Sequence, residues 1–193
     1  MILMKHIIRE GHRTLETVAR DVEIPLSKAD KKTLTDLMDY VRNSQDERLA
    51  ETYGLRPGVG LAAPQINVSK RMFAVHAHDL DGTLYSHMLV NPILKEKSKN
   101  IIYLPGGEGC LSVDRETEGI TPRYESVVFE ALSYDRESDQ LIPVELHLSG
   151  YIGIVFQHEF DHLNGILFTM KLFPALPNAK PAFVYEKEAV DSI

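Results

Sequence analysis

The sequence predicts an α+β fold: a mostly antiparallel β-sheet packed around a central helix carrying His158-Glu159-Phe160-Asp161-His162, with an amphipathic helix nearer the N-terminus. Three observations predict it. Between residues 71 and 148, short runs of β-branched and aromatic residues succeed one another, separated by turn residues. Helical patterns flank this region instead of alternating with its strands, which argues against a βαβ arrangement. The 193 residues, 44% of them hydrophobic, suffice for one well-cored domain, 1–193, and are short for two.

Residues 1–26 read as an N-terminal arm, extended with one helical turn, in which Ile7, Ile8, Leu15 and Val18 are scattered ahead of Ile24-Pro25-Leu26. From Ser27 the pattern changes. Ser27 and Asp30 make a capping-box signal, and Leu34, Leu37, Met38 and Val41 repeat at helical spacing, predicting an amphipathic helix that reaches toward Tyr53-Gly54. Its Lys31, Lys32, Asp36, Asp39 and Arg42 form a solvated face. Gly58 to Ala63 matches the GxGxxA dinucleotide fingerprint, but a helix and a Pro-containing loop precede it and Pro64 obstructs a following helix, so a nucleotide site is rejected. The two glycines fit a tight structural turn, the reading this stretch alone favours, or backbone passing close to another surface, with Gln65 presented at its end.

The expected strands are Arg71 to Ala77, Tyr85 to Val90, Ile101 to Leu104, Tyr124 to Leu132 and Leu141 to Leu148, with Asp81-Gly82, Asn91-Pro92 and residues 135–139 as separators. In the last run Ile142, Val144, Leu146 and Leu148 share one face, opposite Glu145 and His147. His76 and His78 also share a strand face, with no carboxylate of known proximity to complete a metal set. Residues 173–193 form a C-terminal tail containing Pro174, Pro177 and Pro181.

After Ser149, which can cap a helix, Tyr151, Ile154, Val155, His158 and His162 fall on one helical face, and Gly165 suits the left-handed position past the end. Two histidines four residues apart can hold one metal ion, with Glu159 in reach of a water bound to it. Two ordinary helix histidines would give the same pentad, so a third ligand decides the matter. The longer HExxHxxGxxH form requires histidine where Phe168 stands, and the downstream glutamates Glu186 and Glu188 lie in the tail without a helix around them. The third ligand is expected upstream, where the sole cysteine, Cys110, sits among Gly106, Gly107 and Gly109. A set of two histidines and one cysteine leaves a fourth position open, as catalytic metals require. A cysteine nucleophile activated by histidine is the rival chemistry, and it leaves Glu159 without a role.

A single cysteine excludes an intramolecular disulfide framework. The formal charge of −7 argues against a nucleic-acid-binding surface. Charge interrupts the opening residues too early for a signal-peptide core, and no apolar run approaches the roughly 20 residues of a membrane span, so a cytoplasmic protein is expected.

Gly58-Val59-Gly60-Leu61-Ala62-Ala63-Pro64-Gln65, Glu108-Gly109-Cys110-Leu111-Ser112 and Gln157-His158-Glu159-Phe160-Asp161-His162 resemble, in order, the three signature motifs of peptide deformylases. The opening Met4 to Gly11, the helix end Asn43-Ser44-Gln45-Asp46 and Val113-Asp114-Arg115 are similar to the larger, type 2 bacterial subclass.

The resemblance implies hydrolysis of the formyl group from the N-terminal formylmethionine of new polypeptides, releasing formate. It implies one divalent metal on Cys110, His158 and His162, ferrous iron first, with Zn²⁺, Ni²⁺ or Co²⁺ compatible with the donor set. Such an ion lowers the pKa of a bound water from about 15.7 toward 7. Glu159 would carry the proton, and Gln65 and the Leu111 N–H would meet the oxyanion. Val59, Tyr151, Ile154 and Val155 would wall the methionine pocket, with the peptide pairing along the Val59-Gly60 backbone, although Tyr151, Ile154 and Val155 also suit plain core packing. Glu108 and Arg123 would link the cysteine loop to the sheet.

The chain departs from the family pattern at Tyr151-Ile152-Gly153, where a Leu-Pro-Ala type run is common, and in its acidic tail, which is not the basic helix some members use at the ribosome. The expected partners are N-formylmethionyl peptides and the ribosome with its nascent chain, without nucleic-acid readout or a membrane. A metal-dependent peptidase and a non-catalytic metal-binding module remain as alternatives. The peptidase would need a third ligand other than Cys110. The module would have no use for Glu159 or Gln65.

Overall fold

In the computed structural model, residues 1–184 are described. The amphipathic pattern forms α1 (Lys28–Gln45), where the Ser27 hydroxyl accepts the Asp30 N–H at 3.1 Å and Leu34, Leu37, Met38 and Val41 are buried. The helix does not continue to Tyr53. Asp46 takes an extended backbone and accepts the Leu49 N–H at 2.9 Å, starting a separate α2 (Glu47–Tyr53) that stops at left-handed Gly54. Asp46 is thus a cap, where the sequence suggested continuous helix. The N-terminal arm has two 3₁₀ turns, Met4–His6 and Arg13–Glu16, where one turn was expected.

The chain then forms β1 (Gly60–Ala62), β2 (Met72–His78), β3 (Leu84–Lys97), β4 (Ile101–Tyr103), β5 (Arg123–Tyr124), β6 (Ser126–Asp135) and β7 (Gln140–Ser149). After them come α3 (Gly150–Leu163) and β8 (Ala179–Pro181). β1-β2-β3-β6-β7 make one antiparallel sheet; β4 pairs antiparallel with β5 and parallel with β8. Asn91-Pro92 does not end a strand. β3 runs through it on a register shift, and the Asn91 side chain bonds both the N–H and the C=O of Val22. The run from Tyr124 is divided at Glu125 into β5 and β6.

The period-2 geometry of β2 explains how both helices share one sheet. Met72 and Ala74 pack with α1 in one core, while Phe73 and Val75 pack with Ile152, Val155 and Phe156 of α3 in the other. Phe73 and Phe156 meet edge to face at 5.9 Å. The expected apolar face of β7 is only partly covered: Leu148 is buried, Val144 and Leu146 are half-buried, and Ile142 is 47% exposed, because this edge strand runs away from the α3 junction. At that junction the Ser149 side chain makes no capping bond. Ser149 is still paired with Ser126 as strand, and Gly150, at φ +58°, turns the corner with its N–H on the Glu125 carbonyl.

Candidate metal centre

α3 has no exposed residue: Ile152, Val155 and Phe156 anchor it to the sheet, and the same rigid rod carries His158, Glu159 and His162. Gly165 adopts φ +69° past its end. The cysteine loop folds over the helix. Cys110, His158 and His162 each offer one ligand atom, all within 4.8 Å of one another, and Cys110 Sγ lies 3.4 Å from His162 Nε2. Atoms so placed can share one ion at roughly 2.0–2.3 Å, the range for imidazole and thiolate ligands. The group is sequestered: Cys110 and His162 are buried and His158 is nearly so. His76 and His78 are not part of such a group among the described residues, and His76 Nδ1 pairs with Ser86 Oγ at 2.9 Å. Glu186 and Glu188 lie outside the described residues.

His158 Nδ1 is 2.8 Å from Glu108 Oε2, which leaves Nε2 for a metal and fixes the ring. Glu108 in turn receives Arg123 Nε at 2.7 Å and Nη2 at 2.8 Å, a two-pronged bridge between side chains each 3% exposed. Arg123 also donates to Asp161 Oδ2 at 2.6 Å, and Lys171 reaches the same carboxylate at 3.0 Å. Burial pushes the Glu108 carboxyl up, but its bonds with Arg123 and His158 outweigh this and hold its pKa at about 2. Sequence reading singled out Glu108 and Arg123 and missed Asp161 and Lys171. Asp161 lies inside the pentad, one residue before His162, where only the flanking residues drew attention.

Glu159 is 4% exposed, and burial drives its carboxyl up to about 7. Its Oε2 has no partner among the described residues, and neither does His162 Nδ1. Gly60 explains how the carboxylate fits: a Cβ there would sit 2.7 Å from Glu159 Cδ. Gln65 approaches from the next turn. Its Oε1 accepts the Ala62 N–H at 2.9 Å, and its Nε2 points at Cys110 Sγ (3.4 Å) and Ser112 Oγ (3.3 Å). The Leu111 N–H makes no hydrogen bond among the described residues.

A cavity of about 350 Å³ opens onto this group. Val59, Gly60, Tyr151, Ile154 and Val155 line it with Gln65, Leu111, Cys110, His158 and Glu159. Arg56 and Leu104, which no motif marked, also line it, as does Gln45 of the Asn43-Ser44-Gln45-Asp46 helix end. β1 is an edge strand: the His76 N–H bonds the Val59 carbonyl and Gly60 is registered with Val75, so the N–H and C=O of Gly60 face away from β2.

An α+β scaffold that brings Cys110 against the two histidines of an HExxH helix, beside a free strand edge and an apolar cavity, defines the class as proteins with a candidate metal centre open to a ligand. Residues 4–176 match the family model for polypeptide deformylase. The chain is 54% identical over 181 residues to peptide deformylase 2 of Geobacillus stearothermophilus and 51% identical to that of Bacillus cereus, covering 94% of this chain and 96% of each relative. Class I type b peptide deformylase from Acinetobacter baumannii superposes at a TM-score of 0.68 with 31% identity, over 89% of this chain and 99% of that one. A Met-Ala-Ser-bound structure of the same enzyme gives 0.66, at 31% identity over 86% and 96%. The chain belongs to the peptide deformylase family and resembles its type 2 bacterial subclass.

Proposed function

We propose that this enzyme removes the formyl group from N-formylmethionyl peptides, releasing formate and a free amine, with Cys110, His158 and His162 holding one divalent ion. The observation that carries the mechanism is Glu159, a buried carboxyl pushed up to about 7, with no partner for Oε2 among the described residues, lining the same cavity as Cys110 and His158. When bound, the ion supplies Lewis-acid activation of water and of the formyl oxygen. Two imidazole nitrogens and one thiolate sulfur suit ferrous iron, the proposed native ion, and also Zn²⁺, Ni²⁺ and Co²⁺.

Glu159 takes the proton of the attacking water at Oε2 and returns it to the departing amine nitrogen; a pKa near neutrality suits both transfers. Gln65 Nε2 and the Leu111 N–H donate to the oxygen of the former formyl carbonyl as it gains charge. Glu108 holds the His158 ring through Nδ1, and Arg123 holds Glu108. The peptide adds as a strand along Val59-Gly60, engaging the outward N–H and C=O of Gly60. The methionine side chain enters the cavity walled by Val59, Tyr151, Ile154 and Val155. The Met-Ala-Ser ligand of the A. baumannii enzyme is the kind of product this arrangement suits. Residues 1–193 act as one catalytic domain, working in the cytoplasm on chains emerging from the ribosome.

The test is formate release from formyl-Met-Ala-Ser by protein purified without oxygen and loaded with Fe²⁺ or Ni²⁺. Glu159→Ala should reduce turnover by about 10²–10⁴ while the metal stays bound. Cys110→Ser should lose the metal. Cleavage of a peptide bond in place of formate release, or no turnover with one metal tightly held, would overturn the proposal.

A further inference from the structure

Outside the cavity, one carboxylate joins two segments that the site depends on. Asp114 accepts Arg9 Nε on Oδ2 and Arg56 Nη1 on Oδ1, each at 2.7 Å. Arg56 Nη2 donates to the carbonyls of Cys110 (3.2 Å) and Val113 (3.4 Å). On the other side, Arg9 Nη1 bonds the Ile7 carbonyl, and the Ile8 and Glu10 N–H groups donate to the carbonyls of Gln65 and Ser112, each at 2.8 Å. These bonds close a ring running from the N-terminal arm to the Gln65 turn, through the Cys110 loop to Asp114, and back through Arg9. The two oxyanion donors proposed above, Gln65 Nε2 and the Leu111 N–H, sit on the two segments that the ring ties together.

We propose that Asp114 is a positioning residue: through Arg9 and Arg56 it sets the separation of the Gln65 turn and the Cys110-Leu111 loop, and so aims both donors at one point. The role of the ring in turnover rests on the deformylase reading; its role in holding the two segments does not. Asp114 neither lines the cavity nor belongs to the Cys-His-His group, so it acts only through its partners. Its side chain is 60% exposed and those of Arg9 and Arg56 are 36% and 44% exposed. Exposed ion pairs of this kind contribute little to global stability. Geometry is where they act, because donor alignment tolerates little error: a shift of about 1 Å can cost on the order of 10²-fold in rate.

The experiment compares Asp114→Ala, Asp114→Glu, Arg9→Ala and Arg136→Ala with the wild type, all as nickel-loaded full chains. Arg136→Ala breaks another exposed ion pair, with Asp39 at 2.9 Å, that is no part of the ring. Asp114→Ala should lower kcat between about tenfold and 10²-fold with KM within about twofold, Asp114→Glu should recover part of the loss, and Arg9→Ala should reproduce it from the other side. Amide exchange over residues 58–67 and 108–115 should quicken in Asp114→Ala and Arg9→Ala, the melting temperature should move by a few degrees at most, and Arg136→Ala should match the wild type throughout. Wild-type kcat and unchanged exchange in both ring variants would overturn the proposal, as would an equal loss in Arg136→Ala. If Asp114→Ala does not fold, Arg9→Ala decides. If the wild type releases no formate, the deformylase reading fails and the exchange measurement alone decides whether the ring holds the two segments.

Discussion

Glu108 and Asp114 flank Cys110, and each carboxylate bridges two basic partners. Glu108 joins Arg123 to His158, with both ends of its pair with Arg123 3% exposed. Asp114 joins Arg9 to Arg56 and is 60% exposed. The chemistry is the same and the surroundings differ. In the buried network each charge has lost its water and depends wholly on its partners, so removing one partner strands the other. In the exposed network water can replace any partner, so stability hardly depends on it and position does. One loop is therefore held from inside by a buried network and from outside by an exposed one.

The sharpest way to break this comparison is Arg123→Ala, which leaves Glu108 and Asp161 buried without their shared cation. It should cost about 3–5 kcal/mol in urea unfolding, and nickel should dissociate faster as His158 loses its fixed carboxylate. Unchanged stability together with unchanged metal retention would mean the buried network is idle.

Acid offers a second, smaller probe. Glu108 binds its proton at about pH 2 in the fold against 4.5 as an ordinary side chain, so the unfolded chain holds more protons in that interval. The contribution is fully present above 4.5 and is lost as pH falls through that window toward 2, amounting to on the order of 3 kcal/mol. Urea midpoints at several pH values should fall more steeply toward acid in the wild type than in Glu108→Gln. Parallel curves would show that Glu108 is not the group responsible.

The smallest effect is expected at Asp114. Asp114→Asn should leave the urea midpoint almost unchanged, and added salt should narrow even that difference. A loss as large as that of Arg123→Ala would erase the distinction between the two networks.

Much of this candidate site was legible before the fold was known, because its chemistry is carried by residue types at short range. Helical spacing puts His158 and His162 on one face whatever surrounds them. The only cysteine, set among glycines, stood out as the candidate third ligand, whereas Gly58 and Gly60 suited a tight turn as well as the close approach that Glu159 makes to Gly60. Element boundaries were read less well where a side chain competes with the backbone. Asp46 ends one helix by capping the next, and Asn91 keeps β3 running by bonding Val22 across the chain. Neither partner can be read from the residue itself.

The sequence by itself determined the α+β class, the two main helices, the candidate ligand set and Glu159 as the candidate proton carrier, since periodicity, capping and spacing act within a few residues. Only the tertiary structure decided that Asp161 and Lys171 complete the Arg123 network, that Gln45, Arg56 and Leu104 border the cavity, and that Asp114 closes a ring with the N-terminal arm. These contacts join residues up to 105 positions apart. Burial and long-range charge pairing set them, and neither leaves a local periodic mark in the chain.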